Sequence, residues 1–103
     1  MDDTLVRIKR AVLAQQFGFS EKARWEMAAD GISELDVAES IVNAVAIYKR
    51  LRSRSPLRPE RREYLYVIVS PNLLGVPIYS KGKLVAIGGR DYFYFLISAK
   101  HST

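Results

Sequence analysis

Two periodicities divide the chain near residue 44. Before it, apolar positions recur every three or four residues; after it, they alternate. Leu5, Ile8 and Val12 predict a helix from Asp3 to Gln16, with Asp2 and Asp3 at the positive end of its dipole. Gly18 breaks that helix. Ser20 then caps a second one, in which Ala23 and Met27 lie a turn apart and Gly31 sits where a C-terminal glycine belongs. Ser33-Glu34-Leu35-Asp36 reads as a capping box with Asp in place of Glu, opening a third helix striped by Val37, Ile41 and Val45.

Beyond this point the pattern predicts strands. Val45–Leu51 is the first and Tyr64–Ser70 the second, with Arg52–Arg62, which holds Pro56 and Pro59, a loop between them. Val76–Ser80 and Leu84–Ile87 read as a hairpin around Lys81-Gly82-Lys83. Gly88-Gly89-Arg90-Asp91 then turns the chain into a last strand, Tyr92–Lys100. The expected fold is α+β: three N-terminal helices (1–44) packed on one face of a mainly antiparallel sheet of about five strands (45–103), forming a single domain over 1–103. There is no internal repeat.

Alternation also predicts the faces. In the last strand, Phe93, Phe95, Ile97 and Ala99 point one way; Tyr92, Tyr94, Leu96, Ser98 and Lys100 point the other. In the second, Leu65, Val67 and Val69 oppose Tyr64, Tyr66, Ile68 and Ser70. The fully apolar sets are expected under the helices and the tyrosine-bearing sets in solvent. In the first strand this parity puts Lys49 on the side of Val45, Ile47 and Leu51. A bulge or a strand end at Lys49 would free it; otherwise Arg50 is the better phosphate ligand.

Charge changes the picture more than composition does. Residues 1–44 carry five Lys/Arg against eight Asp/Glu, a balance of −3. Residues 45–103 carry eleven against three, a balance of +8. Segregation of this kind suggests a polyanion-binding surface on the sheet. Tyrosines on an open sheet face can stack on unpaired bases, although tyrosine is also simply a good strand residue with a polar tip. Arg50, Arg52, Arg54, Arg58, Arg61 and Arg62 crowd thirteen residues. Such a cluster clamps phosphates, keeps a solvated loop soluble, or docks an acidic protein.

Several chemistries are excluded. The absence of cysteine removes disulfides, cysteine zinc sites and a thiol nucleophile. The one histidine, His101, reads as a tail residue, and a metal site would have to rely on carboxylates, of which the strand half has three. No phosphate-binding glycine loop is present, and neither a cofactor nor a metal is expected. No apolar run reaches the ~20 residues of a membrane span. The Met-Asp-Asp start has the wrong charge for a signal peptide, so a cytoplasmic chain without membrane contact is expected. What remains is basic and phenolic: Lys49, Arg50, Tyr66, Tyr79, Lys81 and Lys100. RNA carries its own nucleophile, the 2′-hydroxyl. Lys and Tyr exchange protons when neighbouring cations lower their pKa, and Lys and Arg stabilise charge on a phosphorane.

Three strings occur in an order that resembles the MqsR family of bacterial mRNA interferase toxins, within the wider RelE/ParE-like group. They are Ile47-Tyr48-Lys49, the segment GVPIYSK at Gly75–Lys81, and Leu96-Ile97-Ser98-Ala99-Lys100. The helix segment from Phe19-Ser20-Glu21-Lys22-Ala23 through Gly31-Ile32-Ser33 is also similar to small toxin-like domains of the BrnT and DUF4258 type. The resemblance implies a metal-independent endoribonuclease that acts on mRNA and is inhibited by an antitoxin from an adjacent gene. It implies catalytic roles for Lys49, Tyr79 and Lys100, with Tyr66 near the family's second-strand glutamine. The surrounding RNA contacts would come from Arg50, Arg52, Arg54, Arg58, Arg62, Lys81, Lys83 and Tyr94. Alternatives are a non-catalytic toxin-like domain that inhibits a protein target, a plain RNA binder, and a basic module docking an acidic protein.

Overall fold

The computed structural model describes residues 3–55, 58–89 and 91–103; within 53–62 only the backbone path is described. Three helices, α1 (Thr4–Leu13), α2 (Glu21–Asp30) and α3 (Glu34–Asn43), accompany five strands. These are β1 (Phe17–Phe19), β2 (Lys49–Ser55), β3 (Arg58–Pro71), β4 (Pro77–Gly88) and β5 (Asp91–His101). The strands form one mixed sheet in the order β1-β5-β4-β3-β2, antiparallel except where β1 runs parallel to β5. The α+β class is as expected, but the helices do not all precede the sheet, because β1 lies between α1 and α2.

The helix caps follow the local chemistry. Ser20 Oγ accepts from the Ala23 N–H at 3.0 Å, and Gly31 takes the left-handed conformation (φ 68°) that a side chain resists. Ser33 and Asp36 form the reciprocal box: Asp36 N–H donates to Ser33 Oγ at 3.0 Å, and Ser33 N–H to Asp36 Oδ2 at 2.9 Å. These bonds favour the carboxylate and hold Asp36 below its ordinary pKa. The box is tied to the sheet, since Asn72 Nδ2 donates to Asp36 Oδ1 at 3.1 Å. The third helix stops at Asn43, so Val45 leaves the predicted stripe and stands 98% exposed.

All three helices feed one core. Ile8, Val12, Ala23, Met27, Val37 and Ile41 pack with Ile68, Ile78, Tyr94, Leu96 and Ala99 of the sheet. In β3, and in β5 as far as Leu96, this cluster reverses the expected faces, while Ala99 lies under the helices as expected. In β3 the side chains toward the helices are Ile68 and Ser70, not Val67 and Val69; in β5 they include Tyr94 and Leu96, not Phe93 and Phe95. Tyr94 is fully buried instead of reaching solvent.

Four segment boundaries also differ. Phe17–Phe19, read as a helix break at Gly18, is a strand; a Cβ at Gly18 would sit 3.1 Å from the Phe93 ring, so the glycine permits that close approach. The strand expected from Val45 begins at Lys49. Of the expected Arg52–Arg62 loop, residues 52–55 and 58–62 are strand, pairing Arg52 with Tyr64 and Arg54 with Arg62; Pro56 and Leu57 lie outside the described residues. Lys81-Gly82-Lys83 is no turn: β4 runs through it, with a register shift where Lys81 opposes Ser98 and Gly82 opposes Leu96. Ile97 is the extra residue of that bulge. Gly82 is needed there because a Cβ would lie 2.7 Å from Tyr94 Cζ and 2.8 Å from the Phe95 carbonyl oxygen.

Beyond Leu96, β5 has no further pairing with β1. The second helix takes the place of a strand along that edge. Glu26 Oε1 accepts from the Ala99 N–H at 3.3 Å, Asp30 Oδ2 from the His101 N–H at 2.9 Å, and Ser20 Oγ donates to the Ile97 carbonyl at 3.2 Å. Carboxylates four apart on a helix thus satisfy amides two apart on a strand, and the edge is closed to further pairing.

Candidate functional site

Residues directly opposite in an antiparallel pair share a face, so the register lays out the side of the sheet away from the helices. One row runs Lys49–Val67–Lys81–Ser98 across four strands. The next runs Val69–Tyr79–Lys100. On the other side of the first row, Leu51 pairs with Leu65 and Lys83 with Phe95. Strands stand ~4.8 Å apart and alternate residues ~6.7 Å apart, so Lys49, Lys81, Lys83, Lys100 and Tyr79 share one patch that spans ~16 Å from Lys49 to Lys100.

Within the patch, Lys100 Nζ lies 5.4 Å from the centroid of the Tyr79 ring, close enough for a cation–π contact. Val67, between Lys49 and Lys81, is buried, while Lys49 and Lys100 are exposed and Tyr79, Lys81 and Lys83 half-buried. Two carboxylates border the lysines: Glu63 Oε2 is 3.9 Å from Lys83 Nζ, and Glu26 Oε2 is 3.9 Å from Lys100 Nζ. Phe93 and Phe95, expected under the helices, are half-buried on this open face.

Lys49, Tyr79, Lys100, Lys81 and Lys83 therefore share one face; Lys100 and Tyr79 are in contact, whereas Lys49, three strands from Lys100, has its Nζ 5.9 Å from the Tyr48 ring centroid. The parity difficulty at Lys49 disappears because the strand starts there: Ile47 packs on the core from the preceding segment, and Lys49 opens the helix-free face. Tyr66 is placed elsewhere. It pairs with Gly82 on the helix side, packs against the core, and has the Arg50 guanidinium 5.8 Å from its ring centroid. Tyr94 belongs to the core, its hydroxyl donating to the Tyr66 carbonyl at 3.4 Å; burial, together with Tyr66, pushes its phenol far up. Neither tyrosine reaches the patch. Arg50 and Arg52 are exposed, on the side of the sheet opposite Lys49. The side chains of Arg54, Arg58 and Arg62 lie outside the described residues.

Glu26 and Ser98 had no sequence signal. Nothing in a helical glutamate announces that it will meet a strand seventy residues away. His101 is exposed and pairs with Ile78 on the helix side. Among the described residues, no three His, Cys, Asp or Glu side chains gather as a metal site would require. Among the described residues, no helix is long and apolar enough to cross a membrane.

Two depressions lie away from this face. One, of about 550 Å³, is lined by Arg7, Arg10 and Tyr92; the other, of about 660 Å³, runs between α1 and α3 past Leu13, Leu35 and Val42. The lysine patch is an open surface, which suits an extended polymer better than a small enclosed ligand. Comparison with known family models, curated proteins and solved structures returns no match to this chain.

Proposed function

We propose that the helix-free face binds single-stranded RNA and cleaves it without a metal, as a toxin of a toxin–antitoxin pair. The observation that carries this reading is the placement of Lys49, Tyr79, Lys81 and Lys100 on one uncovered face, in cross-strand register. An MqsR-like interferase, within a RelE/ParE-like group and held in check by an antitoxin in the cytoplasm, is part of the same proposal.

The chemistry runs through the substrate's own hydroxyl. The 2′-oxygen forms a bond to phosphorus as the bond to the 5′-oxygen breaks, leaving a 2′,3′-cyclic phosphate. The 2′-hydroxyl proton goes to a base on the protein, and the departing 5′-oxygen takes a proton from an acid. Tyr79 and Lys100, in contact with one another, are the acid–base pair in this reading. Lys49 and Lys81 face the equatorial phosphate oxygens and stabilise the added charge.

A second reading, binding without cleavage, draws on the position of Tyr66. One expected catalytic group is turned to the opposite face, so the patch has fewer groups for proton transfer. Labelled RNA incubated with the pure protein in EDTA separates the two. Products ending in cyclic phosphate support cleavage. Intact RNA at high concentrations of folded protein, with salt-sensitive binding, leaves only the second reading; without binding, both fall.

A further inference from the structure

Glu26 divides its carboxylate between the sheet and the candidate site. Its Oε1 accepts from Ser98 Oγ at 2.8 Å and from the Ala99 N–H at 3.3 Å, while its Oε2 lies 3.9 Å from Lys100 Nζ. The strand bonds hold the side chain, which is 21% exposed against 48% for Lys100. Lys100 in turn lies over Tyr79. A free lysine samples many rotamers at the end of four methylenes; one with a held carboxylate 3.9 Å from its ammonium and a ring beneath it samples fewer. A carboxylate beside a polyanion site is unfavourable for binding; the bonds of Oε1 to Ser98 and Ala99 fix Glu26 at the edge, and they leave Oε2 facing Lys100.

We infer that Glu26 is a positioning residue: it orients the Lys100 ammonium over Tyr79 and trades affinity for geometry. The RNA part of this inference rests on the reading proposed above; the orientation of Lys100 does not. Glu26 also closes the β5 edge, and the test must separate the two roles.

Glu26→Gln keeps an oxygen for Ser98 and Ala99 but removes the charge that faces Lys100. In the wild type, the ε-methylene protons of Lys100 should show an upfield ring-current shift from Tyr79, identified by its loss in Tyr79→Leu. The shift should shrink toward the free-lysine position in Glu26→Gln. With RNA, Glu26→Gln should lower kcat about tenfold, part of the ~100-fold carried by the group it orients, while KM also falls because a negative charge has left the site. In a Lys100→Ala background the same substitution should leave kcat unchanged. Glu26→Asp, charged but one methylene shorter, should fall between and serves as the second variant should Glu26→Gln disturb the edge. An unaltered ring-current shift in a folded variant overturns the inference, as does a loss of kcat that persists without Lys100. If the wild type cuts no RNA, the functional reading fails, and the ring-current comparison still decides the role of Glu26.

Discussion

The ammonium of Lys100 stands 5.4 Å from the centre of the Tyr79 ring, and the two residues are direct cross-strand partners on β5 and β4. Their contact is the narrowest point of the candidate chemistry. Replacing Lys100 with Ala, or Tyr79 with Phe, should each reduce RNA cleavage by about 100-fold, the low end for losing a general acid or base. Single-turnover cleavage of a labelled RNA checks this. Tyr79→Phe keeps the ring beneath Lys100, so full activity in that variant would remove the phenol from the mechanism.

Binding should depend on salt through the lysines of the open face. Removing one phosphate-binding cation should flatten the plot of log K against log salt by about 0.7 for a single strand. Lys49→Ala and Lys81→Ala should therefore each lower the slope by about that much, whereas Arg52→Ala, on the opposite side, should change it less. Fluorescence anisotropy over a salt series distinguishes them.

Tyr94 should behave as a core residue. Tyr94→Ala should cost about 3–5 kcal/mol, the range for emptying a large aromatic site, whereas Tyr94→Phe loses only a long hydrogen bond, about 1 kcal/mol or less. Its raised pKa gives a pH signature. Below pH ~10 the phenol is neutral both folded and unfolded. Above that the unfolded chain releases the proton while the folded one keeps it, so stability falls as pH rises through the alkaline range. Denaturation midpoints measured from pH 8 upward should decline less steeply in Tyr94→Phe.

Gly82→Ala should destabilise the fold by about 1–3 kcal/mol, as overpacking does, because the new methyl would meet both Tyr94 and the Phe95 carbonyl oxygen. Thermal unfolding reads this directly. A neutral outcome would mean that the bulge at Ile97 relaxes without cost.

The capping box of the third helix should report at the acid end. Ser33→Ala should cost about 1 kcal/mol. Asp36 has a lowered pKa in the fold, so its contribution is full above the ordinary carboxylate range and is lost as pH falls through the folded value. The difference in stability between wild type and Ser33→Ala should narrow as pH drops through that window.

Much of the architecture could be read locally. Ser20, Gly31 and the Ser33/Asp36 pair act within four residues of themselves, so their helix boundaries are legible from the chain. The same holds for the reversal between β4 and β5, where Gly88 pairs with Asp91. Phe17–Phe19 was not legible, because three residues are too few for a period and their pairing lies with Tyr94–Leu96. Gly82 misleads for a related reason: a glycine chosen to make room for a distant tyrosine looks the same as a glycine chosen to turn the chain. Of the candidate site, Lys49, Tyr79, Lys81 and Lys100 were nameable in advance, while Tyr66, Tyr94 and Glu26 were not assignable to their true surroundings.

By itself the chain determined the helices, most of the strands and the concentration of positive charge in its second half, since periodicity, capping and charge are properties of neighbours in sequence. It did not determine which side of the sheet is covered. Both sides of β5 carry enough apolar surface to be a core, with Tyr94 and Leu96 on one and Phe93 and Phe95 on the other, so alternation alone is degenerate. Packing against Ile8, Val37 and Ile41 breaks that tie. The bulge at Ile97 then moves Ala99 to the covered side and turns Lys100 out beside Tyr79, a change of one residue in register that no local pattern records.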